Sequence, residues 1–197
     1  MSSVALRPPR TPSSLALSLL VVGLTFVAPA AQADIDLPLE SPIVQTMMSN
    51  DMAKFDRALR TGTSPNSADT KGEPLLVLAA RSNLPQAVEI LLQQSARVDQ
   101  ADPNGNTALM WAADQGHVEI IRKLLAAGAQ VDRQNRQGVT ALMRAAEKNN
   151  GAAVDALLKA KADVSLTDHT GRGALSWARE SRSTTVVRQL EAAGATE

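Results

Sequence analysis

Apolar residues follow two different patterns in this chain. Over residues 15–28 fourteen uncharged residues follow one another, LALSLLVVGLTFVA. Farther on, short apolar groups return every 33 positions: LLVLAA, ALMWAA, ALMRAA and ALSWAR open at residues 75, 108, 141 and 174. Leu76, Leu109, Leu142 and Leu175 form one column, and Ala79, Ala112, Ala145 and Ala178 another. A second group follows each first one. Val88, Leu91 and Leu92, then Ile121, Leu124 and Leu125, are spaced as on one helix face. The predicted unit is therefore a pair of short helices, with Ala pairs small enough for neighbours to approach closely.

Turn residues mark the start of each unit. Gly72, Gly105, Gly138 and Gly171 stand 33 apart, each three residues after Asp69, Asp102, Asn135 or Asp168. Glycine accepts positive φ there, and Asp or Asn can bond local amides. Thr107 and Thr140 occupy helix N-cap positions, and Gly128 and Gly194 stand where a second helix should stop. One such unit cannot bury its own apolar face, but a stack of them makes a continuous core. Residues 69–101, 102–134 and 135–167 read as full units and 168–197 as a shortened last one. One step earlier, Phe55, Ala58 and Leu59 fall in the columns of Val88, Leu91 and Leu92, so residues 34–68 read as a degenerate N-terminal cap. Lys54, Asp56, Arg57 and Arg60 are expected on one outer face. Arg179, Arg182, Thr184, Thr185 and Gln189 are expected on the other.

These residues resemble the ankyrin-repeat family, whose units carry a turn Gly, then T-P-L-H-x-A-A, then a helix ending in L-L and G-A. The nearest matches are Thr107-Ala108-Leu109-Met110-Trp111-Ala112-Ala113, followed by Gly116-His117, and Thr140-Ala141-Leu142-Met143-Arg144-Ala145-Ala146. The resemblance covers residues 36–197. It implies an all-α ankyrin-repeat solenoid, helix–turn–helix units joined by β-hairpin-like turns, and a non-catalytic protein-binding role. The chain departs from the pattern in places. The family's Pro is Ala in three units, and its His is Val77, Met110, Met143 or Ser176, so Met packing is expected to replace hydrogen bonds between units. Ser95 and Lys161 stand where Gly ends a helix, and Gly173 replaces the capping Thr, so fraying is expected at the last unit.

Composition changes the picture mainly at the N-terminus. Arg7 and Arg10, the apolar run, and Ala31 and Ala33 before Asp34 form the three parts of a secretory signal, with cleavage expected after Ala33. The run is shorter than the ~20 residues a spanning helix needs. Removing residues 1–33 leaves 18 basic and 20 acidic residues, a net charge of −2. Export to the bacterial periplasm, no stable membrane insertion and a monomer are expected. The chain has no Cys, which excludes disulfides, thiolate metal sites and cysteine nucleophiles. Balanced charge and 2% aromatic residues argue against nucleic acid as a partner.

Candidate chemistry is sparse. His117 fills the family's Gly-His position, where the resemblance implies a half-buried imidazole between helices. His169 falls on a turn tip. Trp111, Arg144 and Trp177 share one column, usually aliphatic in the family, so core packing is expected for both Trp. The alternative is a small-ligand or hydrolase platform, and a cation–π contact is expected if Arg144 lies near either ring. Asp114, Glu147 and Glu180 are one unit apart, too far for a shared-proton pair. No phosphate-binding loop or metalloprotease motif occurs, and no cofactor, metal or catalytic residue is expected. In the family, turn tips and the exposed start of the first helix line a concave groove. The matching positions include Lys71, Glu73, Asn104, Asn106, Arg136, Gln137, His169 and Arg172 on the tips, and Arg81, Asp114, Gln115, Glu147 and Lys148 on the helices. These columns vary between units while core columns stay fixed, as expected of a scaffold that docks a protein partner. As a class, exported proteins of this kind modulate or protect such a partner, in stress or immunity roles. A membrane-tethered adaptor that keeps residues 15–28 is a further alternative.

Overall fold

The computed structural model describes residues 41–196. The export signal expected over residues 1–33 lies outside the described residues. Among the described residues ten helices follow one another: α1 (Pro42–Met48), α2 (Met52–Arg60), α3 (Leu75–Arg81), α4 (Pro85–Gln93), α5 (Ala108–Gln115), α6 (Val118–Ala126), α7 (Ala141–Glu147), α8 (Gly151–Lys159), α9 (Ala174–Glu180) and α10 (Thr184–Ala192). First helices start at 42, 75, 108, 141 and 174, and second helices at 52, 85, 118, 151 and 184, so every start is displaced by 33 residues. Among the described residues, three isolated antiparallel bridges, such as Ala101 to Thr107, close turns between units. Among the described residues, no helix is long and apolar enough to cross a membrane. The molecule is an all-α repeat solenoid.

Helices α3, α5, α7 and α9 pack side by side, as do α2, α4, α6, α8 and α10, and each first helix rests on the second helix of its unit. Side-chain size explains the two layers. The first layer presents Ala79, Ala80, Ala112, Ala113, Ala145 and Ala146, all fully buried, so backbones approach closely. The second presents Val88, Leu91, Ile121, Leu124, Val154 and Leu157, also fully buried. Each such aliphatic side chain contributes about 1.5–3 kcal/mol by leaving water. Met110 and Met143 are 2% and 1% exposed, so apolar packing does fill the family's His column.

The caps follow the sequence. The Thr107 hydroxyl accepts from the Met110 amide, and that of Thr140 from the Met143 amide, both at 3.3 Å. Gly173 offers no side-chain cap, yet α9 begins in the same register, and Gly173 pairs with Thr167. Past the second helices, Gly128 and Gly194 take φ values of 88° and 90°, while Ser95 and Lys161 are held at 63° and 64°. One outer-face expectation is corrected. The Gln189 amide donates to the Gly151 carbonyl at 3.2 Å, so it joins two units instead of covering the end.

Candidate partner-binding face

Each turn is folded around one side chain. Oδ1 of Asp69 accepts from the Lys71 and Glu73 amides at 2.8 Å each. Asp102 does the same for Asn104 and Asn106, Asn135 for Gln137 and Val139, and Asp168 for Thr170 and Arg172, at 2.8–3.1 Å. The tips are also tied to one another. The Arg136 amide donates to the Asn104 carbonyl at 3.1 Å, and the His169 amide to the Gln137 carbonyl at 3.0 Å. At the preceding junction the same column holds Pro103, which has no N–H to give. The result is a row of preorganised tips with one missing tie.

Acid–amide chemistry fixes the turn of the second full unit. Asp102 is 6% exposed. Its Oδ2 accepts from Trp111 Nε1 at 3.0 Å and from Asn106 Nδ2 at 3.1 Å. Burial pushes its carboxyl up, but the Trp111 and Asn106 donors outweigh burial and hold it below the ordinary value. Asp168 is balanced the same way. Burial raises it, and the Thr170 hydroxyl with the amides of Arg172 and Thr170 brings it below the usual range. Asn106 also accepts from Asn135 Nδ2 at 2.7 Å. This corrects its placement as an exposed tip residue: at 6% exposure it is a structural link between turns.

The other positions separate by what holds them. Lys71, Asn104, Arg136, Gln137 and His169 are exposed on the tips, as are Gln115 and Lys148 at the helix ends. Glu73, Arg81, Asp114, Glu147 and Arg172 are half-buried. Arg81 and Glu73 form an ion pair at 2.7 Å, and Arg172 and Glu180, in the same two columns of the last unit, pair at 3.2 Å with the signs exchanged. Glu147 lies between Arg144 at 3.3 Å and Lys148 at 3.4 Å. Arg172 also lies 3.4 Å from the buried carboxylate of Asp168, so it is an anchored residue more than a free contact.

The two tryptophans pack against the edge of the core. Both are half-buried and line clefts between units. A cleft of about 250 Å³ lies among Asn106, Met110, Trp111, Asp114, Arg144 and Lys148. A second, of about 310 Å³, includes Gln137, Val139, Glu147 and Trp177 and shares Arg144 as a wall. The expectation of core packing holds for one side of each ring, and the Asp102 acceptor also ties Trp111 Nε1 to the turn. The cation–π partners differ from expectation. Arg81 sits 5.3 Å from the Trp111 ring centre and Arg172 3.7 Å from that of Trp177, while Arg144 pairs with Glu147.

His117 is half-buried ahead of α6. Its amide donates to the Ala112 carbonyl at 2.8 Å and its carbonyl accepts from the Ile121 amide at 3.0 Å. Among the described residues, no group of three acids or histidines could hold a metal ion. One set of contacts escaped the sequence reading. Asn66, Asp99 and Asp132 stand 33 apart, and each side chain accepts the amide of the next unit, from Arg97, Gln130 and Asp163, at 2.7–3.1 Å. Their spacing was the available signal.

The sequence model of the family described as Ankyrin repeats (3 copies) matches residues 43–135 and 123–196. No curated protein matches the chain.

Proposed function

Because the chain belongs to the ankyrin-repeat family, whose repeats are generic protein–protein interaction modules, we propose that it is a non-catalytic binding module for a partner protein. It works in the bacterial periplasm after losing residues 1–33. The partner docks in a groove lined by turn tips and first-helix ends, and docking modulates or protects it, in a stress or immunity setting. The observation that carries this reading is the contrast between fixed and variable columns. Asp102, Asn135 and Asp168 are buried and bonded, while Asn104, Arg136, Gln137, Lys148 and His169 stand exposed beside them. A rigid tip that presents changing chemistry loses little freedom on binding. Arg136 forms no ion pair among the described residues, and Lys148 pairs only with Glu147. Substituting both by Glu is therefore the test. Partner capture should fall while the melting temperature stays put. Intact-mass measurement checks export: a chain beginning at Asp34 supports it, and retention of residues 15–28 indicates the tethered adaptor.

The two clefts favour a second reading, a small-ligand site at Trp111, Arg144 and Trp177. Their volumes lie near the lower limit of about 300 Å³ for ligand pockets. Tryptophan emission that resists soluble quenchers would rule it out.

A further inference from the structure

The chain contains two Asn-Gly junctions, Asn104-Gly105 and Asn150-Gly151. Such a junction has its own chemistry. Gly carries no side chain to block approach, so its backbone nitrogen can attack the carboxamide carbon of the Asn before it. The tip position of Asn104 is Lys71, Gln137 or Thr170 in the other units, so the second full unit alone presents this pair on a turn tip.

The two junctions are held differently. Asn104 is exposed, and its side chain makes no hydrogen bond among the described residues. Its amide donates to Asp102 Oδ1 at 2.8 Å and its carbonyl accepts from the Arg136 amide at 3.1 Å, so the backbone is tied while the carboxamide is loose. Asn150 is half-buried, and its Nδ2 donates to the Ala113 and Asp114 carbonyls at 3.0 and 2.7 Å. Attack there requires both of those bonds to break. At the tip, the bond to give up is that of the Gly105 N–H to the Asp102 carbonyl, 2.9 Å away. The tip also needs its glycine. Gly105 has φ 85°, and a Cβ on it would fall 2.9 Å from the Arg136 nitrogen.

We propose that Asn104 is a site of spontaneous deamidation, an ageing modification that rewrites the charge of one turn tip. The Gly105 nitrogen loses its proton to solvent and bonds to Asn104 Cγ. The Cγ–Nδ2 bond breaks, ammonia leaves and a cyclic imide remains. Water then opens the imide at either carbonyl, giving aspartate or isoaspartate, so the sum is carboxamide plus water to carboxylate plus ammonium. Both products place a negative charge beside the Arg136 backbone. In isoaspartate the main chain also gains an extra carbon, and the carbonyl that accepts from the Arg136 amide leaves the main chain as a carboxylate. The consequence for docking rests on the partner-binding reading, in which Arg136 is an unpaired cation of the face.

Peptide mapping by mass spectrometry of the purified chain, aged in mildly alkaline buffer, tests the modification. In the folded chain Asn104 should convert at least about tenfold faster than Asn150, because two bonds hold the Asn150 carboxamide. In urea both should convert at similar rates, each faster than when folded, because no opening step is then needed. Asn104→Gln should remove the modified tip peptide. The Arg136 amide should exchange hydrogen faster in the isoaspartyl form than in Asn104→Asp, whose main chain is normal. A folded Asn104 that stays an amide while the chain in urea converts overturns the proposal. So does conversion of Asn150 as fast as Asn104, or an Arg136 amide equally protected in both acidic forms. The mapping needs no partner, so a failed capture leaves its result standing, and a failed mapping leaves the docking reading standing.

Discussion

Replacing Asp102 by Asn changes one atom type in a turn whose carboxylate accepts from Asn104, Asn106 and Trp111. The structure already shows what Asn does in that column. Asn135 keeps both backbone bonds through Oδ1 at 2.9 Å and uses Nδ2 as a donor. The substituted side chain would keep the bonds to the Asn104 and Asn106 amides in the same way. Its new amide nitrogen would then face two donors, Trp111 Nε1 and Asn106 Nδ2, which in the wild type reach Oδ2 of Asp102 at 3.0 and 3.1 Å. Two bonds are lost and a half-buried indole N–H is left without a partner, a cost of about 2–3 kcal/mol. Urea unfolding at neutral pH measures it. Adding Trp111→Phe removes the orphaned donor, so the double variant should fall short of additivity by about 1 kcal/mol. The wild-type carboxyl is also more acidic folded than unfolded. Its stabilisation is complete above the unfolded value near 3.9 and is lost as pH falls through the lower folded value. Asp102→Asn should flatten that part of the acid limb. A change under about 0.5 kcal/mol, or strict additivity with Trp111→Phe, would refute the hydrogen-bond account.

Three further outcomes follow from the packing. Ser95→Gly and Lys161→Gly, at φ 63° and 64°, should each stabilise by about 0.5–1 kcal/mol in urea titrations, because Gly carries no strain there. Leu124→Ala opens a cavity at a fully buried site and should cost about 2–5 kcal/mol in the same assay. Hydrogen exchange should find the Arg136 and His169 amides protected although their side chains are exposed, since both bond the preceding tip. Exchange at the rate of an open loop would contradict the tie between turns.

The helix register was legible because it rests on local rules that repeat. Turn glycines, Thr caps and the columns of Leu and Ala each point to the same 33-residue unit. Contacts across units were harder to read. The bond from Asn135 to Asn106 joins residues 29 apart, and Asn150 donates to the Ala113 and Asp114 carbonyls from an adjacent unit. No local propensity announces such bonds. Asn106 looked like an exposed tip residue because its neighbours Asn104 and Gly105 are turn residues, and only the stacked Asn135 turn buries it. The polar neighbours of Trp111 and Trp177 were missed for a similar reason, although both rings do pack against the core. Column identity suggested the apolar neighbourhood, and a buried carboxylate and a stacked arginine complete the surroundings of the rings. Arg172 shows the same limit. Its sequence position marks a tip cation, but its bonds to Asp168 and Glu180 make it part of the scaffold. A charge reversal there would confuse binding with stability.

The decisive measurement is therefore capture of periplasmic protein by the chain beginning at Asp34, beside its Arg136→Glu, Lys148→Glu variant. If the turn tips and first-helix ends form the docking surface, the wild type retains a specific protein and the variant loses it at an unchanged melting temperature. Equal capture by both would contradict the account.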